Sequence, residues 1–192
     1  LPVNQMNSIA TLAVQLGSGT GAQPFKTVKD YDNWLARGKR LPELLNTDIV
    51  NMRAGIQAGV VQPKALMIKV VPQLDDLIKA TPEESLFWGP IKNMPASFSA
   101  ADKERLTKAY SAMIGNELMP AYKKLRAFIN DEYLPATRTS VGLDKLPNGD
   151  AWYAFNARMS TTTDLTPDQI HTIGLNEVAR IHGEIRKVME QT

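Results

Sequence analysis

The chain has 192 residues, enough for one sizeable domain, with 22 basic and 20 acidic side chains. This near balance of charge gives no general electrostatic reason to bind nucleic acid or an anionic membrane, and we expect no nucleic-acid partner. The chain has no cysteine, which excludes disulfides, thiolate zinc sites and cysteine nucleophiles within it. No run of 18 apolar residues is present to form a transmembrane segment.

The N-terminal part of the sequence predicts a loop followed by two helices. Residues 1–26 contain the glycine-rich run LGSGTG and are expected to be loop-like. Thr27 and Asp30 have the spacing of a helix cap. A second helix is predicted from about 42 to 58, because its apolar residues recur at helical spacing and Gly59 is a natural stop.

Prolines punctuate the helical patterns in the middle of the chain. Pro63 opens a helix whose apolar stripe contains Pro72, where we expect a kink. A long helical pattern starts at Ser99, is interrupted at Pro120 and ends at Pro135. Helices therefore dominate this region.

The C-terminal part predicts a strand and then a helix. Residues 151–158, AWYAFNAR, are rich in the aromatic residues that strands favour. The last helix starts at Thr166, and Gln169 completes a capping box. Its helical spacing predicts a buried stripe made of Ile170, Ile173, Val178, Ile181, Ile185 and Val188. The fold class is therefore mainly α, a helical bundle with one short strand or hairpin, and residues 1–192 form a single helical unit.

Both histidines of the chain fall on this last helix. His171 and His182 are 11 residues apart, so a continuous helix holds them about 20° apart in direction but roughly 16 Å apart along its axis. Two ligands of one zinc ion each lie about 2 Å from it. These histidines therefore cannot share a metal, and a structural or surface role is the simpler interpretation.

Other motifs of catalytic chemistry give weak or negative signals. No HExxH, P-loop or Gly-x-Ser-x-Gly pattern occurs, so no catalytic or metal-binding residue is assigned. Adjacent carboxylates such as Asp75 and Asp76 are explained by a solvated helix face. The threonine run at 161–163 offers an anion site at a helix N-terminus, and a turn that ends one element and caps the next helix is the favoured interpretation.

With these residues in view, the chain resembles the bacterial family known as domain of unknown function 885. The matching blocks are QLGSGTGAQPFKTVKDYDNWLAR, NMRAGIQAGVVQPKAL, PAYKKLRAFINDEYLPATRTSVGLDKLPNGDAWYAF and TTTDLTPDQIHTIGLNEVARI. Members look like gluzincin-type zinc metallopeptidases, similar in helical architecture to carboxypeptidase Taq and angiotensin-converting enzyme, and many are exported or lipid-anchored.

The resemblance implies that this chain is the N-terminal part of a larger zincin-like helical fold. The zinc motif of the family, an HExxPGHH-type helix, lies downstream of TTTDLTPDQIHTIGL, so no ligand or catalytic glutamate can be placed on these residues. Zinc and a peptide substrate are implied for a full-length relative only, and the chain alone is expected to be inactive. The resemblance places Tyr153, Arg158 and His171 along the substrate cleft, and it implies a periplasmic or lipid-anchored location at the cell envelope.

The sequence is compatible with two alternative functions. One is the N-terminal portion of an exported metallopeptidase-like protein, and the other is a non-enzymatic helical binding or scaffold module at the bacterial cell envelope. A serine or carboxylate hydrolase has little support. The sequence begins with Leu1 and has no signal-peptide pattern, so we expect residues to be missing at both ends. Apolar surface left by such a truncation predicts a homodimer or association with the missing C-terminal portion.

Overall fold

The computed structural model describes residues 2–191. Contacts divide the chain into two compact units, residues 1–140 and residues 141–192, here called the N-terminal unit and the C-terminal unit. The prediction of one helical unit over 1–192 stays a prediction, because a grouping of contacts does not say which part folds alone. Each unit is helical, which confirms the mainly α fold class.

The N-terminal unit consists of helices joined by short connections. Its α-helices are α1 (Ile9–Gly17), α2 (Val28–Gly38), α3 (Leu41–Gln57), α4 (Lys64–Met67), α5 (Val70–Leu77), α6 (Gly89–Lys92), α7 (Ala100–Met113), α8 (Met119–Phe128) and α9 (Leu134–Ala136). Two 3₁₀ turns, Pro82–Glu84 and Leu86–Trp88, precede α6. Among residues 2–191 the β structure is one isolated bridge between Pro63 and Arg138.

The predicted capping residue of α2 is confirmed, and one helix, α1, was not predicted. The Thr27 hydroxyl accepts from the Asp30 amide, and the Asp30 carboxylate accepts from the Thr27 amide, so the predicted cap of α2 is confirmed. The prediction that residues 1–26 are loop-like is wrong over α1. That helix is capped by Ser8, whose hydroxyl accepts from the amide of Thr11.

Prolines in the middle of the chain lie in first turns of helices or directly after π-helical turns. The helix predicted from Pro63 is divided into α4 and α5, so Pro72 lies in the first turn of α5, where its missing N–H is not needed. The longest helical stretch, from Ala100 to Ala136, passes through two π-helical turns, Ile114–Leu118 and Ile129–Tyr133. Each π turn comes just before a proline, where a wider turn keeps the ring clear of the preceding carbonyl groups.

Four tyrosines at the centre of the N-terminal unit are buried, and each hydroxyl reaches a main-chain group. The bonds run from Tyr31 to the Pro90 carbonyl (2.8 Å), Tyr110 to the Tyr31 carbonyl (3.2 Å), Tyr122 to the Ala10 carbonyl (2.7 Å) and the Gln62 amide to Tyr133 (3.0 Å). Burial raises the pKa of Tyr31 to about 12, and it raises the pKa of Tyr110 and Tyr122 further. These bonds join segments distant in sequence and satisfy polar groups that water cannot reach.

Three arginine–carboxylate pairs join the long helical stretch to other helices at the surface of this unit. Each pair is bidentate, a geometry that fixes orientation as well as distance. They are Arg105 with Asp32 of α2, Arg126 with Asp75 of α5, and Glu132 with Arg53 of α3, at closest distances of 2.8, 2.8 and 2.6 Å.

The C-terminal unit contains a 3₁₀ turn and two helices. The turn is Leu143–Lys145, and the helices are α10 (Gly149–Thr161) and α11 (Pro167–Met189). The strand predicted over residues 151–158 is wrong, since the whole segment lies in α10. Trp152, Phe155 and Met159 are spaced three and four apart, a helical period that the local aromatic enrichment obscured.

The capping box that starts α11 is confirmed, but the buried stripe predicted along it is wrong. The Thr166 amide donates to the Gln169 side chain (2.8 Å), and the Gln169 amide donates to the Thr166 hydroxyl (3.2 Å). None of the residues of α11 is buried. Periodicity therefore identified the apolar face correctly and said nothing about whether another element covers it.

Candidate functional site

The side chain of Tyr153 lines a cavity within the C-terminal unit. The cavity has a volume of about 460 Å³ and lies between the 3₁₀ turn, α10 and the first residues of α11. Three carboxylates, those of Asp144, Asp150 and Asp168, share its lining with the Tyr153 ring. Leu143, Ala154 and Pro167 provide the apolar part of the wall.

The charged lining gives this cavity a negative character. Asp144 pairs with Lys145 at 2.6 Å, and the hydrogen bond that the Lys145 ammonium donates to this carboxylate raises the pKa of Lys145. Asp150 and Asp168 each lie in the first turn of a helix, where the helix dipole stabilises their charge. Carboxylates beside an aromatic ring suit a cationic group such as an ammonium.

Arg158 lines a second, smaller cavity next to the first. Its volume is about 240 Å³, and Ala154 and Pro167 contribute to both cavities. The lining also includes Asp164 and Thr166 in the turn between the two helices. The sequence-based candidates Tyr153 and Arg158 therefore lie in adjoining depressions of one unit.

His171 lies apart from both depressions. It is exposed on α11, and it is not among the residues that line either cavity. The structure thus brings together two of the three side chains for which the resemblance implied substrate contact. Their role in binding remains a prediction for all three.

The residues present do not fit a zinc site. Helix α11 is continuous from Pro167 to Met189, so His171 and His182 lie roughly 16 Å apart along one axis. Between residues 2 and 191, no group of three or more His, Cys, Asp or Glu side chains is placed to hold a metal ion. No reaction step through a metal can therefore be built on these side chains.

The threonine turn between the helices has its own hydrogen bonds. The Thr161 hydroxyl donates to the Ala157 carbonyl (2.9 Å), and Thr162 adopts a left-handed conformation with φ 56°. A left-handed residue at this position is typical of a helix C-terminus. These contacts agree with a capping turn, the interpretation that the sequence favoured over an anion site.

A separate groove lies in the N-terminal unit beside the first π turn. Its volume is about 560 Å³, and charged and amide side chains line it, including Lys39, Glu43, Asn46, Glu117 and Lys124. The Lys124 ammonium donates to the Asn46 side chain at 2.6 Å. Sequence reasoning did not find this groove, although π turns often occur at functional sites and Pro120 was a visible signal of an irregular helix.

Comparison with known proteins places the chain in a family. The model of the family described as "Bacterial protein of unknown function (DUF885)" matches residues 1–192, so the chain belongs to that family. This confirms the family predicted from the sequence blocks. None of the curated proteins compared matches the chain.

A solved structure shares the fold. It is the crystal structure described as that of the putative lipoprotein from Colwellia psychrerythraea, with a TM-score of 0.81 and 23% sequence identity. The match covers 96% of this chain and 32% of that chain, so the chain spans about a third of that protein's length. No helix within residues 2–191 combines the length and apolar character that a bilayer crossing requires.

Proposed function

We propose that this chain is the N-terminal helical portion of a longer, exported zinc-metallopeptidase-like protein of the bacterial cell envelope. In this proposal the C-terminal unit contributes substrate contacts, and residues outside the chain supply the metal ligands. The observation that carries it is the uneven fold match, in which nearly all of this chain corresponds to a third of a longer protein. The gluzincin-like relationship is part of the proposal and rests on the sequence resemblance.

The two adjoining cavities suggest how the C-terminal unit would contact a peptide. The acidic cavity next to Tyr153 suits an ammonium group, which every free peptide N-terminus carries. Arg158, in the neighbouring cavity, would donate hydrogen bonds to a carbonyl or carboxylate of the same extended chain. A peptide would thus meet both signs of charge within a short distance on one surface.

The proposal is tested by comparing residues 1–192 with the product of the complete reading frame. We expect the complete protein to bind zinc stoichiometrically and to cleave peptides in a chelator-sensitive way, while residues 1–192 do neither. Metal content and hydrolysis of a mixed peptide library would be measured on both. Stoichiometric zinc and chelator-sensitive cleavage by residues 1–192 alone would contradict the proposal.

Substrate contact by the C-terminal unit has its own test in the complete protein. Tyr153→Ala and Arg158→Ala should raise KM for peptides and leave kcat nearly unchanged, because neither side chain is assigned to the chemical step. Arg186→Ala is the matched control, since Arg186 lines neither cavity. A KM that responds equally to all three changes would refute the assignment.

A non-enzymatic binding or scaffold module at the cell envelope is the second candidate. The observation that favours it is the large amount of apolar side chain exposed on α10 and α11, as expected of an interaction surface. A location at the envelope is proposed for both candidates, supported by the description of the fold relative as a putative lipoprotein. Cell fractionation with and without detergent would test it, and recovery only in the cytoplasmic fraction would contradict it.

A further inference from the structure

We infer that the apolar stripe of α11 is a docking face for the remaining polypeptide of the same protein. The inference rests on the proposed function, since it requires a chain longer than 192 residues. The occupant is a helical apolar surface from that polypeptide. Neither a second copy of the chain nor a free ligand is needed.

The stripe is exposed along the helix. Val178, Ile181 and Ile185 are 51%, 44% and 50% exposed, although isoleucine and valine are among the residues most often buried. At 100° per residue these three side chains point within about 60° of one another. The helix has 23 residues and is about 34 Å long, and the three side chains lie on consecutive turns of it. An exposed apolar stripe that charged side chains border is typical of an interaction site.

The flank of α11 next to the stripe has the character of a solvent face. Arg180 pairs with Glu177 and Glu184 at 2.8 and 2.7 Å, so the charges of this side are satisfied within the helix. Asn176 points about 180° away from Ile185. The helix thus separates a charged side from an apolar side, the pattern of an element made to pack on one face.

Both histidines lie beside the apolar stripe. His171 and His182 point about 20° apart from each other and next to Val178 around the helix. Whatever covers the stripe will therefore also border the two imidazole rings. The inference therefore places both histidines at the edge of an interface. That role does not require them to bind the same metal ion.

The length of the fold relative decides between possible occupants. About two-thirds of that protein lies outside the region matched by this chain. A segment tethered in the same polypeptide reaches a millimolar effective concentration, which a second copy at cellular levels does not. The remaining polypeptide is therefore the partner that the comparison favours.

The test uses cysteine labelling, because residues 1–192 contain no cysteine of their own. I185C and the control N176C are introduced separately into residues 1–192 and into the complete protein. Alkylation by a maleimide is then followed by mass spectrometry of the α11 peptide. We expect I185C to react at least tenfold more slowly in the complete protein than in residues 1–192, with N176C reacting equally in both.

Other results would overturn the inference in recognisable ways. Equal reactivity of I185C in the two proteins would show that the remaining polypeptide leaves the stripe open. Slow, concentration-dependent labelling of I185C in residues 1–192 would show that a second copy covers it. A complete reading frame that adds no further polypeptide would remove the occupant. A complete protein that protects I185C but cleaves no peptide would refute the proposed function and leave the docking face standing.

Discussion

The two longest helical stretches of the molecule are both amphipathic, yet they differ in what covers them. The stretch from Ala100 to Ala136 buries its apolar side chains, and Leu106, Met113 and Leu118 are inaccessible to solvent. Helix α11 is 23 residues long and buries none of its side chains. The comparison teaches that the helical spacing of apolar residues defines which face of a helix is apolar. Whether that face is buried depends on a packing partner, which the spacing does not identify.

In the N-terminal unit, other helices of the same unit pack on the long helical stretch. Its buried tyrosines bond to main-chain groups of distant segments, and its arginine–carboxylate pairs hold α2, α3 and α5 against the long stretch. The C-terminal unit has local ion pairs within the 3₁₀ turn and along α11, and its largest apolar side chains lie at the surface. Substitutions of the same kind should therefore have unequal effects in the two units.

The largest difference is expected for removal of a phenylalanine ring. Phe87 is 1% exposed, and its ring centroid lies 6.4 Å from that of Trp34 and 6.0 Å from that of Tyr122. Phe87→Ala should lower the free energy of unfolding by about 3–5 kcal/mol. Phe155, which is 56% exposed, is the matched site, and Phe155→Ala should cost about 1 kcal/mol or less. Urea unfolding of residues 1–192 measures both, and equal losses would erase the contrast.

An added methyl group should have opposite signs in the two units. A Cβ at Gly17 would overlap the rings of Trp34 and Phe87, whereas a Cβ at Gly183 meets no atom within 4 Å. Gly17→Ala should destabilise the protein by about 1–3 kcal/mol, because rigid rings must move. Gly183→Ala should stabilise α11 by about 0.5–1 kcal/mol through its higher helix propensity. Thermal unfolding followed by circular dichroism would show whether the two shifts differ in sign.

The smallest effect is expected from an exposed ion pair in acid. The hydrogen bonds from Arg126 lower the pKa of Asp75 below its usual 3.8. The stabilisation is therefore present above that value and is lost as the pH falls through the lowered pKa. Asp75→Asn should flatten this acid limb slightly, and more at low salt than at high salt, since exposed pairs are screened. Asp76→Asn removes the same charge one residue away and keeps the Arg126–Asp75 pair, so an equal effect of the two substitutions would mean that net charge alone is responsible.

Much of the fold could be predicted because its signals are local. Thr27 with Asp30, and Thr166 with Gln169, mark helix starts through bonds made within four residues. The strand predicted over residues 151–158 failed because aromatic enrichment is a weaker signal than the surrounding helix, whose spacing also fits Trp152, Phe155 and Met159. Helix α1 was missed because the glycines that follow it dominated the interpretation of the N-terminal segment.

The candidate site could be predicted only in part. The sequence resemblance pointed to Tyr153 and Arg158, which lie in adjoining cavities, but their contact with substrate is still a prediction. Asp144, Asp150 and Asp168 line the same cavity as Tyr153 and were not found. They belong to three different elements, and only the turn at Thr162 brings the start of α11 back to α10. The spacing of residues in the sequence does not predict the geometry of that turn.

The contrast between the two units is tested most directly by hydrogen exchange of residues 1–192, read by mass spectrometry of peptides. We expect peptides from Ala100 to Ala136 to exchange only through global unfolding, while peptides from α11 exchange orders of magnitude faster because none of the residues of that helix is buried. Protection of α11 equal to that of the long stretch, at a concentration where the chain is monomeric, would contradict the claim that its apolar face awaits a partner.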